Sequence, residues 1–209
     1  WVAVALAVVP PLVALAVGQP EAARWRELFG LSIAAMEVMA ALFLASALSD
    51  EIDNQTYTYL WSRPLPRWSV VAGKLIAQVP VVAALMTVSV ALTFVISFGQ
   101  SSGAHLDLLG GSVLAMVLGS ITAGVMCIGI GTVLTRQATP VALIYLLIGD
   151  AAVGTLPFAV RNMSIRYHID RLAMGGPDAV SLAWLLDIAV IWLAIALWRV
   201  RRAEFGGAR

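Results

Sequence analysis

Charge is scarce in this chain. Of its 209 residues, Lys and Arg supply 13 and Asp and Glu 12, so only 12% are charged. A soluble domain carries roughly 25%. With 61% of residues hydrophobic, the chain cannot cover a water-facing surface, and lipid is its natural solvent. The net charge is +1 and the basic residues are scattered, which gives no electrostatic basis for binding nucleic acid. Cysteine is nearly absent. Cys127 stands alone in an apolar run, so it forms no internal disulfide and carries no redox or metal signal. His105 and His168 are the two histidines. They stand far apart without clustered ligands, and they read as surface residues rather than metal ligands or an enzyme's constellation. The chain also lacks a G-x-x-x-x-G-K-[ST] loop, so it does not cradle ATP phosphates by that route. No catalytic residue and no cofactor are assigned to it.

What is present is a succession of apolar runs, at 1–17, 28–48, 70–98, 108–134, 141–160 and 180–198. A helix needs about 20 residues to cross a hydrocarbon core of about 30 Å. Backbone groups in lipid must be satisfied internally, so these runs are expected to be helices. They do not alternate as the strands of a membrane barrel do. The expected fold is an all-α integral membrane protein of six spans in a single domain, 1–209. The chain opens at Trp1 inside an apolar stretch, which reads as a first span whose true start is missing. With six spans both ends lie on one side. Eight basic residues (Arg63, Arg67, Lys74, Arg136, Arg199, Arg201, Arg202, Arg209) fall on that side, and five (Arg24, Arg26, Arg161, Arg166, Arg171) on the other. The positive-inside rule then puts the C-terminus in the cytoplasm.

Trp25, Trp61, Trp68, Trp184 and Trp198 lie near span ends, where amphipathic rings favour the interface. Gly119, Gly124, Gly129 and Gly131, with Ser120, Thr122 and Ala123, are expected to give the fourth span a small-residue packing face. Three acids fall inside spans: Glu37, Asp150 and Asp187. A central acid costs about 2.5–3.5 kcal/mol on insertion scales, so each should face the protein interior, a partner or water. They are candidates for a transport path. The alternative at each is a structural hydrogen bond to a neighbouring helix or a place at a dimer seam.

The polar exception is the segment from Ser49 to Trp68. Ser49 or Asp50 can cap a short helix, and Asp50, Glu51 and Asp53 suit the positive end of its dipole. Ile52, Thr56, Tyr59 and Leu60 fall near one face. Pro64 and Pro66 stop the helix, and Arg67 and Lys74 flank entry to the third span.

This stretch resembles the cytoplasmic segment of ABC-2 type permeases. Glu51, Thr56, Leu60, Ser62-Arg63-Pro64, Arg67 and Gly73-Lys74 follow the family's order, with Asn54-Gln55 before Thr56 where the family has Gly. The resemblance implies a six-transmembrane-helix ABC-2 bundle of the type V exporter kind in the bacterial plasma membrane. It implies that 49–69 is a cytoplasmic coupling helix and turn seated on a separate ABC ATP-binding subunit, which binds ATP and Mg. Asp50, Glu51, Ile52, Thr56, Tyr59, Leu60, Arg63 and Arg67 would form that interface. A second permease copy, identical or related, would complete the membrane unit, and 161–179 would be an extracellular segment with short helices before the last span. Few charges in the spans suit export of a small amphiphilic molecule or drug. The rival reading is an ion-coupled secondary transporter using Glu37 and Asp150. Such proteins often show broken helices and internal repeats, and neither is evident here.

Overall fold

The computed structural model describes residues 1–17, 22–46, 68–134 and 136–202, and all regular structure among them is helical. Helix α1 (Val2–Val17) contains Pro10 and Pro11. Helix α2 (Ala22–Ala40) runs on into a π-helical turn, Ala41–Ala45. Helix α3 (Trp68–Phe98) meets α4 (Leu106–Val133) through the 3-10 turn Gly99–His105. Helix α5 (Ala138–Thr155) has a π-helical middle, Tyr145–Asp150. A 3-10 turn, Phe158–Met163, leads to the short helix α6 (Ile165–Gly175) and then to α7 (Ala179–Arg202).

Four helical stretches among the described residues are long and apolar enough to cross a membrane: Arg24–Ala45, Trp68–Val133, Ala138–Thr155 and Ala179–Arg202. The second runs for 66 residues and includes both α3 and α4. Drawn out straight at 1.5 Å per residue it would measure about 100 Å, over three times a hydrocarbon core of about 30 Å. Helices α3 and α4 pack on each other instead, so the chain doubles back at the 3-10 turn. Helix α1 is a shorter apolar helix packed on α2 and α3.

Helix α4 is the centre of the bundle, in contact with α2, α3, α6 and α7. Every residue from Thr122 to Thr132 is buried. The sequence suggests one small-residue face, and the packing role is what the structure shows, but the small residues serve all sides. Gly119 meets Ile169 of α6, Gly124 meets Val79 of α3, and Gly129 meets Trp192 of α7. The closest approach to the backbone of another helix is at Gly131, where an added Cβ would stand 2.7 Å from the Ala45 carbonyl oxygen at the end of α2. Absence of side chains lets helix backbones come together in lipid, where van der Waals contact replaces the hydrophobic drive.

Several hydroxyl groups in the core are satisfied locally. Ser32 donates to the Leu28 carbonyl at 3.1 Å, Thr93 to Ser89 at 2.7 Å and Ser120 to Met116 at 2.7 Å. Such bonds to the preceding turn let a polar side chain sit in an apolar helix. The outer faces carry Leu12 and Leu15 of α1, Ile76 and Leu92 of α3, and Val190 and Ile191 of α7, all exposed. That surface suits lipid.

One tryptophan departs from expectation. Trp25 is 1% exposed and packs edge-on to Phe94 at 5.3 Å and beside Phe98 at 5.8 Å. It belongs to the core because α2 turns this ring toward the end of α3 rather than outward. Trp68 and Trp198 are exposed as an interfacial position requires, and Arg202 lies over the Trp198 ring at 4.8 Å.

Candidate functional site

Helix α2 carries Glu37 in the bundle interior, 1% exposed, and neither of its carboxylate oxygens has a hydrogen-bond partner. The nearest cation is Arg166, at the start of α6, with Nη1 3.7 Å from Glu37 Oε2. That separation allows attraction but exceeds hydrogen-bond length. Arg166 Nη2 also donates to the Gly30 carbonyl, about two turns before Glu37 on the same stripe of α2, at 3.5 Å.

Asp150, at the end of the π-helical turn of α5, is fully buried. Its oxygens accept from the backbone N–H of Ile165 at 2.9 Å and of Arg166 at 2.8 Å, and from Ser164 Oγ at 3.2 Å. Ser164 is the N-cap of α6, and its Oγ accepts from the Tyr167 N–H at 3.1 Å. The first N–H groups of a helix have no partner within it. Here a carboxylate from another helix and the cap residue satisfy three of them. The charge also suits the positive end of the helix dipole. Asp150 thereby anchors the backbone of Arg166, the residue whose side chain reaches toward Glu37.

Above this pair lies a cleft of about 710 Å³ between α2, the end of α5 and α6. Arg26, Arg166, Arg171 and Asp170 supply its charges, and Ile33, Ala151 and Met174 its apolar wall. Arg26 Nη2 is hydrogen-bonded to Asp170 Oδ2, tying α2 to α6. Arg171 Nε stands 3.0 Å from Asp178 Oδ2. Helix α6 can line the cleft and also seal the core because its pattern is strongly two-sided. Ile165, His168, Ile169 and Leu172 are buried toward α4, while Arg166, Asp170 and Arg171 occupy the other side.

His168 corrects an expectation. It is buried, not at the surface, with Nε2 2.9 Å from the Asn162 carbonyl and its ring stacked on Trp184. A carbonyl only accepts, so Nε2 carries the proton. Burial holds this imidazole below its ordinary range, and it is neutral at pH 7. It is a packing residue because the helix period puts it on the face of Ile165 and Leu172.

The structure thus brings Glu37 and Asp150 to one arginine. Asp187 does not join them; it is exposed on α7. Asp50, Glu51, Ile52, Thr56, Tyr59, Leu60, Arg63 and Arg67 lie outside the described residues, as does Trp61. Arg166, Arg26 and Asp170 were not singled out by sequence as site residues. The available signal was the 3.6-residue pattern of 165–173 beyond Ser164, which marks an amphipathic helix with its charges on one side. Among the described residues, no three of His, Cys, Asp and Glu come together as metal ligands would.

Apolar helices of spanning length, packed around a buried central helix, define a multi-pass helical membrane protein. The family model described as "ABC-2 family transporter protein" matches residues 3–205, and the chain belongs to that family. It is a family of transporter membrane components, not themselves catalytic, that associate in general with ABC ATP-binding subunits. No curated protein matches this chain.

Proposed function

We propose that this chain is the permease subunit of an ABC exporter, crossing the bacterial plasma membrane six times with its C-terminus in the cytoplasm. The observation that carries the reading is the ABC-2 family match along nearly the whole chain. The six crossings would be α1 to α5 and α7, with α6 lying in the extracellular segment 161–179. In support, α3 and α4 have 31 and 28 residues and each is long enough to cross alone. Arg199, Arg201 and Arg202 cluster in the last turn of α7, which favours a cytoplasmic end.

In this reading 49–69 is the coupling helix and turn. Tyr59 and Leu60 are apolar anchors in a groove of a separate ATP-binding subunit. Asp50, Glu51, Ile52, Thr56, Arg63 and Arg67 complete that interface. ATP and Mg bind the partner. Closure of two ATPase subunits moves each coupling segment as a rigid body. The segment connects the end of α2, at Ala45, to the start of α3, at Trp68, so such motion enters the bundle beside Gly131. A second permease copy is supported by Asp187. It lies exposed at the ninth position of the 24-residue α7, where lipid contact would cost about 2.5–3.5 kcal/mol. A second copy or a water-filled path removes that cost. The cargo is a small amphiphilic molecule or drug, and the acids proposed to border its path are Glu37, Asp150 and Asp187. The ion-coupled alternative draws no support from membership of a family of ABC permeases.

The test replaces Tyr59 and Leu60 by Asp and follows co-purification of the permease with its ATP-binding subunit, together with ATP-driven transport. Loss of both is the expected result. An undiminished complex with unchanged transport overturns the coupling assignment.

A further inference from the structure

We propose that the cleft between α2 and α6 binds the anionic headgroup of an amphiphile, a single phosphate or carboxylate on an apolar tail, through Arg166 and Arg171. This names a cargo class for the transporter and so rests on the permease reading. The argument begins with charge. Three guanidinium groups and one carboxylate line the cleft. Each of the three is ion-paired, Arg26 with Asp170 of the same wall, Arg166 with Glu37 and Arg171 with Asp178, but Glu37 and Asp178 lie outside the lining, so Arg166 and Arg171 bring no carboxylate of their own into the cleft.

Neither of these two is saturated. A guanidinium carries five N–H donors in a planar fork. Arg166 makes one hydrogen bond at the 3.5 Å limit and one ion pair at 3.7 Å. Arg171 contacts Asp178 through Nε at 3.0 Å, and its side chain is 47% exposed. Arg166 is held in place from behind, since its backbone N–H is fixed by Asp150. The two arginines are five positions apart on α6, about 140° round the helix, and both border the same space. A planar fork matches the paired oxygens of a carboxylate or phosphate, and charge-assisted bonds of this kind are roughly twice as strong as neutral ones.

The space fits a headgroup and the start of a tail. Its 710 Å³ falls within the roughly 300–1,000 Å³ of small-molecule sites. Ile33, Ala151 and Met174 supply an apolar wall beside the charges. A cationic headgroup would meet only Asp170, already closed by Arg26. A neutral one could accept from the arginines but would leave their charge unmatched and make the weaker bonds.

The experiment uses the full-length permease in nanodiscs of phosphatidylcholine. Binding of dodecyl phosphate is measured by titration calorimetry beside dodecanol, dodecyltrimethylammonium and inorganic phosphate. Dodecyl phosphate should bind at least about tenfold more tightly than the other three, and Arg171→Gln should weaken it by about tenfold, the loss of one charge-assisted hydrogen bond. Arg166→Gln alone strands Glu37 and can unfold the chain, so Arg166 is tested in the double variant Glu37→Gln/Arg166→Gln, which should bind about tenfold more weakly. Equal binding of the three dodecyl compounds overturns the proposal, as does full affinity in both variants. Inorganic phosphate binding as tightly as dodecyl phosphate overturns the amphiphile assignment. Co-purification with the ATP-binding subunit reports separately on the permease reading. A chain that binds dodecyl phosphate but no ATPase would sink that reading while leaving the cleft's anion preference in place.

Discussion

Arg166 of α6 and Glu37 of α2 face each other with 3.7 Å between Nη1 and Oε2, and the carboxylate has no hydrogen bond to compensate its burial. A buried charge that loses its partner is strongly destabilising. Arg166→Met is therefore expected to lower stability, by less than the roughly 3 kcal/mol of a fully buried pair, because the Arg166 side chain is 31% exposed and a stranded carboxylate can take up a proton. Glu37→Gln should cost less, since Arg166 can still reach the cleft. The double variant should recover most of the loss. Thermal unfolding of the four proteins in detergent measures the cycle. Additive losses would show that the two groups do not interact.

Asp150 accepts two backbone N–H groups and one hydroxyl. Asp150→Ala leaves those donors buried and unmet, at about 1–3 kcal/mol each. The expected effect is local: faster hydrogen exchange of the Ile165 and Arg166 amides and loosening of α6 from the bundle. Asp150→Asn, whose amide keeps an accepting oxygen, should retain part of the protection.

Two adjacent glycines of α4 should respond oppositely. Gly110 has nothing within contact distance of an added Cβ, whereas at Gly111 that atom would stand 3.0 Å from the Leu172 carbonyl oxygen. Gly110→Ala is expected to stabilise by about 0.5–1 kcal/mol through helix propensity. Gly111→Ala should destabilise by about 1 kcal/mol or more as α6 is pushed outward. Equal shifts in melting temperature would contradict the packing of α4 on α6.

His168 gives a pH signature. Its folded-state value lies below the ordinary imidazole value because of burial, so below about pH 6.5 the unfolded chain binds more protons than the folded one. The contribution of neutral His168 is fully present above that pH and declines as pH falls further. His168→Gln, whose amide N–H can also donate to the Asn162 carbonyl, should flatten the dependence of melting temperature on pH between about 5 and 7.

The helices were legible because burial in lipid demands long apolar runs. The run 70–98 became α3 at Trp68–Phe98, and 108–134 became α4 at Leu106–Val133. The three intramembrane acids stood out by cost alone. Their partners did not, because Arg166 meets Glu37 only after α6 folds back over α2, and no local period reports such a contact. Trp25 and His168 were misplaced for a related reason. Both have one apolar and one polar side, and composition does not say which way the helix turns them. The pattern of Ile165, Ile169 and Leu172 did hold that information for His168, on the same stripe.

The burial of α4 on every side from Thr122 to Thr132 limits how the bundle can rearrange. A helix with one free flank can roll toward it and absorb a push from a neighbour. This one has no vacant direction. The α2 terminus at Ala45 bears directly on Gly131, and Trp192 of α7 bears on Gly129 two residues away, so this stretch of α4 has no room to roll aside without displacing a neighbour.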